Sequence, residues 1–265
     1  MTDGLSRFTS DRRTREESSW TGEEDWAAGT AENVDVVDGN LVSRSASGVG
    51  DTPDSGVARW TFDDADMESG EALDAWNDNN ATINGATTGA TAVYGGESYS
   101  FDGTGDYVSA GNPSSLDLTN AISISLWMNS PSSSSNWAKG VSKGHDAAYT
   151  LQINHGGNEC GSMRVWGSSS AAGAVGSTNI YDGNDHHLVG TYDGSTVAYY
   201  IDGELEDSVS APPSLNSVSD PVWIGRDSHS RSNGGPFRGR IDDPRIYNKG
   251  LAETEVQNLY QTGSI

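Results

Sequence analysis

Acidic side chains alternate along residues 64–68, which read Asp-Ala-Asp-Met-Glu. A retaining glycosidase needs two carboxyl groups ~5–5.5 Å apart, and residues two apart on one face of a strand could supply them. The same alternation would suit Ca²⁺, which takes about six to eight oxygen ligands. However, the segment is polar and runs into Ser69-Gly70 rather than into an apolar strand. We therefore expect a solvated acidic loop without catalytic residues.

Other patterns of catalytic or metal-binding residues are incomplete. His155 and Cys160 come nearest to a zinc site, and two ligands do not make one. The sequence has no Gly-x-Ser-x-Gly elbow for a nucleophilic serine, and its glycines stand at turns rather than in a phosphate-binding loop. We therefore expect no catalytic residues and no enzyme activity.

Sugar recognition is the chemistry that the remaining aromatic and polar residues favour. Aromatic rings cover the apolar faces of sugars, and a few polar groups fix the ligand's orientation. Trp137 follows the serine-rich segment 132–135, which favours exposure, whereas Trp166 equally suits a core position. The candidate ligand-binding residues are Trp137, His145, Asp146, Trp166, Arg226, His229 and Arg231.

The chain is strongly acidic. Among its 265 residues, 38 are Asp or Glu and 15 are Lys or Arg, which gives a formal net charge of −23. Nucleic acid phosphates would be repelled, so we exclude nucleic acid as a partner. The lysines are only Lys139, Lys143 and Lys249, and such an excess of acids over lysine resembles halophilic archaeal proteins. In molar salt the Debye length is ~3 Å, which screens the self-repulsion of this chain.

Composition and turn signals divide the chain into three parts. Residues 1–24 form a polar arm of mixed charge, which we expect to be ordered only where its own domain or a neighbouring subunit holds it. Residues 25–56 contain two short strands around the turn Asp38-Gly39, followed by a Gly/Pro/Asp linker. Residues 57–265 carry many short strands. We expect residues 1–50 to contact other copies of the chain or other subunits of an assembly.

Membrane and export signals are not apparent. No stretch approaches ~20 consecutive apolar residues, so we expect no membrane insertion. Residues 1–7 lack the apolar core of a secretory signal peptide.

Alternation of apolar and polar residues marks the strands of the third part. Residues 122–128 read Ile-Ser-Ile-Ser-Leu-Trp-Met, and Asp193-Gly194 and Asp202-Gly203 are turn dipeptides. Many short strands at this spacing indicate a sandwich or a barrel. One helix is predicted near the C-terminus, capped by Gly263, with a face formed by Leu251, Val256, Leu259 and Tyr260.

Four segments resemble, in their order, the laminin-G-like domains of the concanavalin A-like lectin and glucanase superfamily. They are Trp60–Asp63, Ser100–Val108, the hairpin His186–Gly203 and Gly239–Ala252. The resemblance covers about residues 57–262 and implies an all-β, antiparallel double-sheet jelly-roll sandwich with a short C-terminal helix and an N-terminal arm. Asp185, where a Trp commonly precedes the His pair, and Pro244, where an apolar residue is usual, depart from the pattern. Neither departure changes the expected fold.

The resemblance also implies one structural calcium ion between the loop after the first strand and the last strand. The candidate ligands are Asp63, Asp78, Asn84 and Asp242, although such acids also suit turns and surfaces. Retaining β-glucanases of the superfamily carry a Glu-x-Asp-x-Glu strand. Asp64 stands where the first of those glutamates belongs, which weakens a hydrolase interpretation.

Three functions stay open. The first is a virion surface component of a halophilic virus, such as a capsid turret, spike or tail fibre, whose lectin-like head binds host glycans. This hypothesis fits the missing signal peptide and the polar arm, because virions assemble in the cytoplasm. The second is a secreted or cell-surface carbohydrate-binding module of a halophilic archaeon. A glycoside hydrolase has the least support, because no carboxylate pair stands out, and we expect the first of the three.

Overall fold

The computed structural model describes residues 53–132, 136–228 and 235–265, together with the strands β1 (Val34–Val37) and β2 (Asn40–Ser43). The chain divides into two compact units, Met1–Gly48 and Val49–Ile265. In the first unit, β1 and β2 pair antiparallel, with Val37 opposite Asn40.

The regular secondary structure in the described part of the second unit consists almost entirely of strands. They are β3 (Gly56–Arg59), β4 (Met67–Glu68), β5 (Glu71–Ala72), β6 (Ala81–Asn84), β7 (Thr87–Thr91), β8 (Glu97–Asp102), β9 (Tyr107–Ser109), β10 (Ile122–Asn129), β11 (Lys139–Lys143), β12 (Tyr149–Gln152), β13 (Ser162–Trp166), β14 (Ala171–Val175), β15 (Asp185–Tyr192), β16 (Thr196–Ile201), β17 (Glu204–Ser210), β18 (Val222–Ile224) and β19 (Arg238–Tyr247). Two short 3₁₀ helices, at Asp64–Asp66 and Ser114–Leu116, and one α-helix, α1 (Glu253–Thr262), complete the secondary structure of these residues.

The strands form two antiparallel sheets. The first has eight strands in the order β17-β16-β15-β10-β19-β8-β7, with β3 also paired to β19. The second has nine strands in the order β14-β13-β12-β11-β18-β9-β6-β5-β4. The predicted all-β double-sheet jelly-roll sandwich is therefore confirmed.

The hydrophobic core lies between the two sheets. Trp60 is fully buried there, and its indole nitrogen donates to the carbonyl of Asn79 at 2.8 Å. Pro244 has no N–H to donate, but its carbonyl accepts a hydrogen bond from the backbone of Trp60 at 3.0 Å. The alternating residues of β10 that enter the core are Ile122, Ile124, Leu126 and Met128. Each such side chain stabilises the fold by about 1.5–3 kcal/mol.

Helix α1 covers part of the outer face of the eight-stranded sheet. Val256 and Leu259 are buried there against Tyr247. Gly263 ends the helix in the left-handed conformation, with φ of 72°, and its N–H bonds to the carbonyl of Leu259. The predicted helix and its glycine cap are confirmed. No helix in the described part of the chain is long and apolar enough to cross a membrane.

A buried ion-pair cluster joins strand β3, strand β19 and the end of helix α1. The Asp243 carboxylate accepts from the Arg59 Nε at 2.8 Å and also pairs with Arg245. The second arm of Arg245 donates to the carbonyl of Gly263 at 2.6 Å. Burial of these charges is offset only because each has an opposite partner.

Candidate ligand-binding site

A β-bulge in β11 decides which of its side chains leave the core. Val141 lies opposite Leu151, and both are buried between the sheets. Lys139, two residues earlier, would share that face in a regular strand. The register shifts at Gly140, however, and places Lys139 opposite Gln152. Because successive residues of β12 alternate, Lys139 and Gln152 lie on the outer face of the nine-stranded sheet.

Buried polar side chains surround this part of the outer face. Ser162 donates to Gln152 Oε1 at 2.8 Å, and His155 Nδ1 lies 3.1 Å from the same oxygen. Burial lowers the pKa of His155. Within the described ranges, Gln152 Nε2 and Asn154 Nδ2 are buried and have no hydrogen-bond partner. Buried polar groups are normally paired, so leaving these two amide nitrogens without a partner is costly.

Lys139 is the charged group of this face. It is only 4% exposed, and its ammonium forms no hydrogen bond or ion pair with any residue that the structure describes. Burial lowers the pKa of Lys139 to about 8, against the attraction of Asp227 and Asp146. The positive charge of Arg164 lowers this pKa further. The protonation of this buried amine therefore depends strongly on the charges around it.

The chain after β18 folds back over the same face. Ser142 Oγ donates to the carbonyl of Arg226 at 3.0 Å and accepts from the N–H of Ser228 at 2.9 Å. Between these two contacts, Asp227 is buried, and its carboxylate lies 2.5 Å from His145 Nδ1. The loop therefore brings the carboxylate of Asp227 to the imidazole of His145, which follows strand β11. We call Lys139, Gln152, Arg164, His145 and Asp227 the outer-face site.

Two predicted tryptophans flank the outer-face site. Trp137 is 42% exposed, and its ring meets that of His155 edge-on at 4.8 Å between centroids. Trp166 is only 9% exposed, and the Arg164 guanidinium lies 5.2 Å from the centre of its ring. Trp137 is thus available to a ligand, while Trp166 supports a residue of the site.

The other predicted ligand-binding residues are placed as follows. His145 pairs with Asp227 as described above, and Asp146 approaches the second nitrogen of His145 at 3.8 Å. Arg226 contacts the carbonyl of Gly105 at 3.4 Å. His229 and Arg231 lie outside the described residues.

Lys139, Gln152 and Arg164 are site residues that the sequence analysis missed. The available signal was a lysine followed by glycine at the start of a short strand, since an isolated strand glycine often marks a bulge.

Two predicted calcium ligands, Asp63 and Asp242, hold the same loop. Asp63 accepts from the N–H of Glu97 at 2.6 Å, and Asp242 accepts from the N–H of Tyr94 at 2.7 Å. Burial raises the pKa of both acids, to about 8 for Asp242, and the negative charges of neighbouring acids, Asp243 among them, raise both further. A nearby cation would favour the ionised form of both carboxylates.

The other two predicted ligands lie elsewhere. Asp78 lines a cleft of about 460 Å³ together with Asn77 and Asn248, and Asn84 belongs to β6, opposite Tyr107. The acidic segment 64–66 is a 3₁₀ helix, so its carboxylates do not share one face of a strand. In the part of the chain that the structure describes, no three His, Cys, Asp or Glu side chains gather as a metal site.

The two sheets, with a polar outer face and a loop folded over it, define a lectin-like jelly-roll module. Residues 102–257 match the laminin G family model of the concanavalin A-like lectin/glucanases superfamily, and the chain belongs to that family. No curated protein sequence matches the chain.

Solved structures share the fold at low sequence identity. The binding domain of Paraclostridial Mosquitocidal Protein 1 matches with a TM-score of 0.63 and 16% identity, over 79% of this chain and 52% of that one. The botulinum neurotoxin serotype G binding domain matches with a TM-score of 0.58 and 15% identity, over 77% of this chain and 50% of that one. A third match is domain 4 of AbnA, a GH43 extracellular arabinanase from Geobacillus stearothermophilus solved in complex with arabinotriose. Its TM-score is 0.59 and its identity 22%, over 78% of this chain and 98% of that one. The chain thus spans about half of each toxin domain, and the likeness shows the fold.

Proposed function

We propose that the protein is a non-catalytic carbohydrate-binding protein whose ligand lies against the outer-face site. The observation that carries this proposal is that two buried groups there have no hydrogen-bond partner among the described residues, the ammonium of Lys139 and Nε2 of Gln152. The neighbours support the proposal. Domain 4 of the arabinanase holds arabinotriose, and the two toxin neighbours are binding domains.

The surroundings of the outer-face site offer the contacts that a sugar needs. The imidazole of His145, which Asp227 holds at Nδ1, is partly exposed within the site. The exposed ring of Trp137 can cover an apolar sugar face. A pocket with a few placed polar groups beside an aromatic ring is the usual form of a small-ligand site.

A glycan array with the full chain in molar salt tests this function. The substitution Trp137→Ala should weaken binding of the glycans that the array detects about three- to tenfold, because it removes one aromatic contact. Tyr260→Ala is the matched control. Tyr260 is similarly exposed, at 38%, but lies on helix α1, which packs against the other sheet. The proposal fails if no glycan binds, or if the two variants lose binding equally.

We propose further that the protein is a virion surface component of a halophilic virus, with residues 1–50 as its assembly segment. The acidic, lysine-poor composition and the division at Gly48 support this placement. Light scattering in molar salt should then show an oligomer for the full chain and a monomer for a chain that starts at Val49. A monomeric full chain would instead favour the alternative, a secreted or cell-surface carbohydrate-binding module of a halophilic archaeon.

We also propose one structural calcium ion beside Asp63 and Asp242. Both carboxylates accept hydrogen bonds from the loop of residues 93–97, and burial together with neighbouring negative charges makes both costly to ionise. An ion there would favour their charged forms and fix that loop.

A further inference from the structure

The three lysines of the chain differ in how their charge is matched. Lys249 is exposed and pairs with Glu255 at 2.6 Å. Lys143 is buried, and its ammonium donates to the carbonyl of Asp220 at 3.0 Å. Lys139 is almost as buried but forms no such contact with any described residue. A buried ammonium without a hydrogen-bond partner is costly, so its position calls for an anionic group.

The acids whose charge reaches Lys139 are engaged elsewhere. Asp227 lies 2.5 Å from His145 Nδ1, and Asp146 is exposed beside the other ring nitrogen. Both raise the pKa of Lys139 without forming an ion pair with it. They also limit the charge of an incoming anion, because a dianion such as a phosphate monoester would be repelled more strongly than a single carboxylate.

A second cation faces the same place. Arg164 lies on β13 opposite Thr150, two residues from Gln152 on the neighbouring strand, and its guanidinium stacks over Trp166. Within the described ranges, the guanidinium of Arg164 also forms no hydrogen bond or ion pair, and its contact is the ring of Trp166. Its charge acts unfavourably on Lys139. Two unmatched cations close together are unusual in a chain with 38 acids and 15 bases, and an anion between them would relieve the repulsion.

We infer that the outer-face site binds an acidic sugar, with the sugar's carboxylate held between Lys139 and Arg164 and contacted by the Gln152 amide. This inference rests on the proposed function and names the ligand class for the same site. The planar guanidinium can bind the carboxylate through two parallel hydrogen bonds, and the ammonium supplies a third contact. The exposed ring of Trp137 then faces the sugar ring.

Calorimetric titration of the full chain in molar salt tests the ligand class. The probes are glucuronate and N-acetylneuraminate as two forms of sugar acid, with glucose, the methyl ester of glucuronate and acetate as controls. At least one sugar acid should bind ten or more times more tightly than every control, since a hydrogen bond to a charged group contributes about 10- to 150-fold. The sugar acid that binds more tightly identifies the kind of sugar that the site prefers.

Variants locate the contact. Lys139→Met and Arg164→Gln should each weaken binding of the sugar acid at least tenfold, while Lys249→Met should leave it unchanged. Reductive ¹³C-methylation offers a readout that does not depend on affinity, because the chain has only three lysines to label. The NMR signal of dimethylated Lys139 should titrate at a higher pH when the sugar acid is bound.

Each outcome separates the inference from the proposed function. Neutral sugars that bind as tightly as the acids would overturn the inference and leave the carbohydrate-binding function standing. Acetate that binds as tightly as the sugar acids would reduce the site to a general anion site and overturn the inference. Unchanged acid binding by Lys139→Met would overturn the assigned contact. A chain that binds no sugar at all would overturn both.

Discussion

Replacing Lys139 by methionine is expected to stabilise the protein while it weakens ligand binding. Burial lowers the pKa of Lys139 from 10.5 to about 8. For a base, a lowered pKa means that the folded state disfavours the charged form. The penalty is therefore fully present at pH 7 and disappears as the pH rises from about 8 to above 10.5. At about 1.36 kcal/mol per pKa unit, the shift corresponds to about 3 kcal/mol.

Methionine retains a long, unbranched apolar stem and carries no charge, so it can fill the same space. The free energy of unfolding of Lys139→Met should exceed that of the wild type by about 2–3 kcal/mol at pH 7. For a domain of about 200 residues this raises Tm by about 4–12 °C. Urea unfolding at pH 7, 9 and 10.5 in molar salt measures the effect, and the gain should shrink at each step.

The other lysines supply the controls. Lys249→Met removes an exposed charge paired to Glu255 and should change stability by no more than about 0.5 kcal/mol. Lys143→Met removes a buried, hydrogen-bonded ammonium and should lower stability, because the carbonyl of Asp220 loses its donor. A Lys139→Met variant that is less stable than the wild type at pH 7, or equally stabilised at pH 10.5, would show that burying the charge of Lys139 does not carry this cost.

The remaining predictions concern the frame around the site. Calcium added after EDTA treatment should raise the Tm of the wild type and have a smaller effect on Asp242→Asn; equal shifts would argue against the proposed calcium position. Asp243→Ala leaves the buried Arg245 without its carboxylate and should cost about 3–5 kcal/mol in urea unfolding, and a loss below about 1 kcal/mol would contradict the role of the cluster. Gly140→Ala places a Cβ 2.5 Å from a methyl carbon of Leu126 and should cost about 1–3 kcal/mol, whereas a neutral effect would mean that the bulge opens freely.

The fold could be predicted from the sequence because its signals are local. Residues 122–128 alternate with period two, and the structure makes them the buried and outward residues of β10. The helix could be placed because Val256 and Leu259 share one face and Gly263 adopts the left-handed conformation that glycine favours. Each of these features depends on residues within a few positions of one another.

The centre of the outer-face site could not be predicted in the same way. The position of Lys139 depends on a bulge at Gly140, and the register of β11 is defined only against its neighbour β12. The burial of Asp227 depends on the loop after β18, which hydrogen-bonds to Ser142, more than 80 residues earlier in the chain. Trp166 was compatible with binding or with the core, and the structure shows it nearly buried. Such contacts are tertiary and leave no periodic pattern.

Salt dependence joins the acidic surface to the chemistry of the outer-face site. A net charge of −23 repels an anionic sugar at long range, and at about 0.1 M salt this repulsion extends over a Debye length of ~10 Å. In molar salt that length falls to ~3 Å, while the buried contact with Lys139 is screened much less. Affinity for a sugar acid should therefore stay constant or increase between 0.1 M and 2 M salt, provided that circular dichroism shows the same fold at both. A basic surface patch would behave in the opposite way, so a loss of affinity of tenfold or more would place the anion on exposed cations instead of on Lys139.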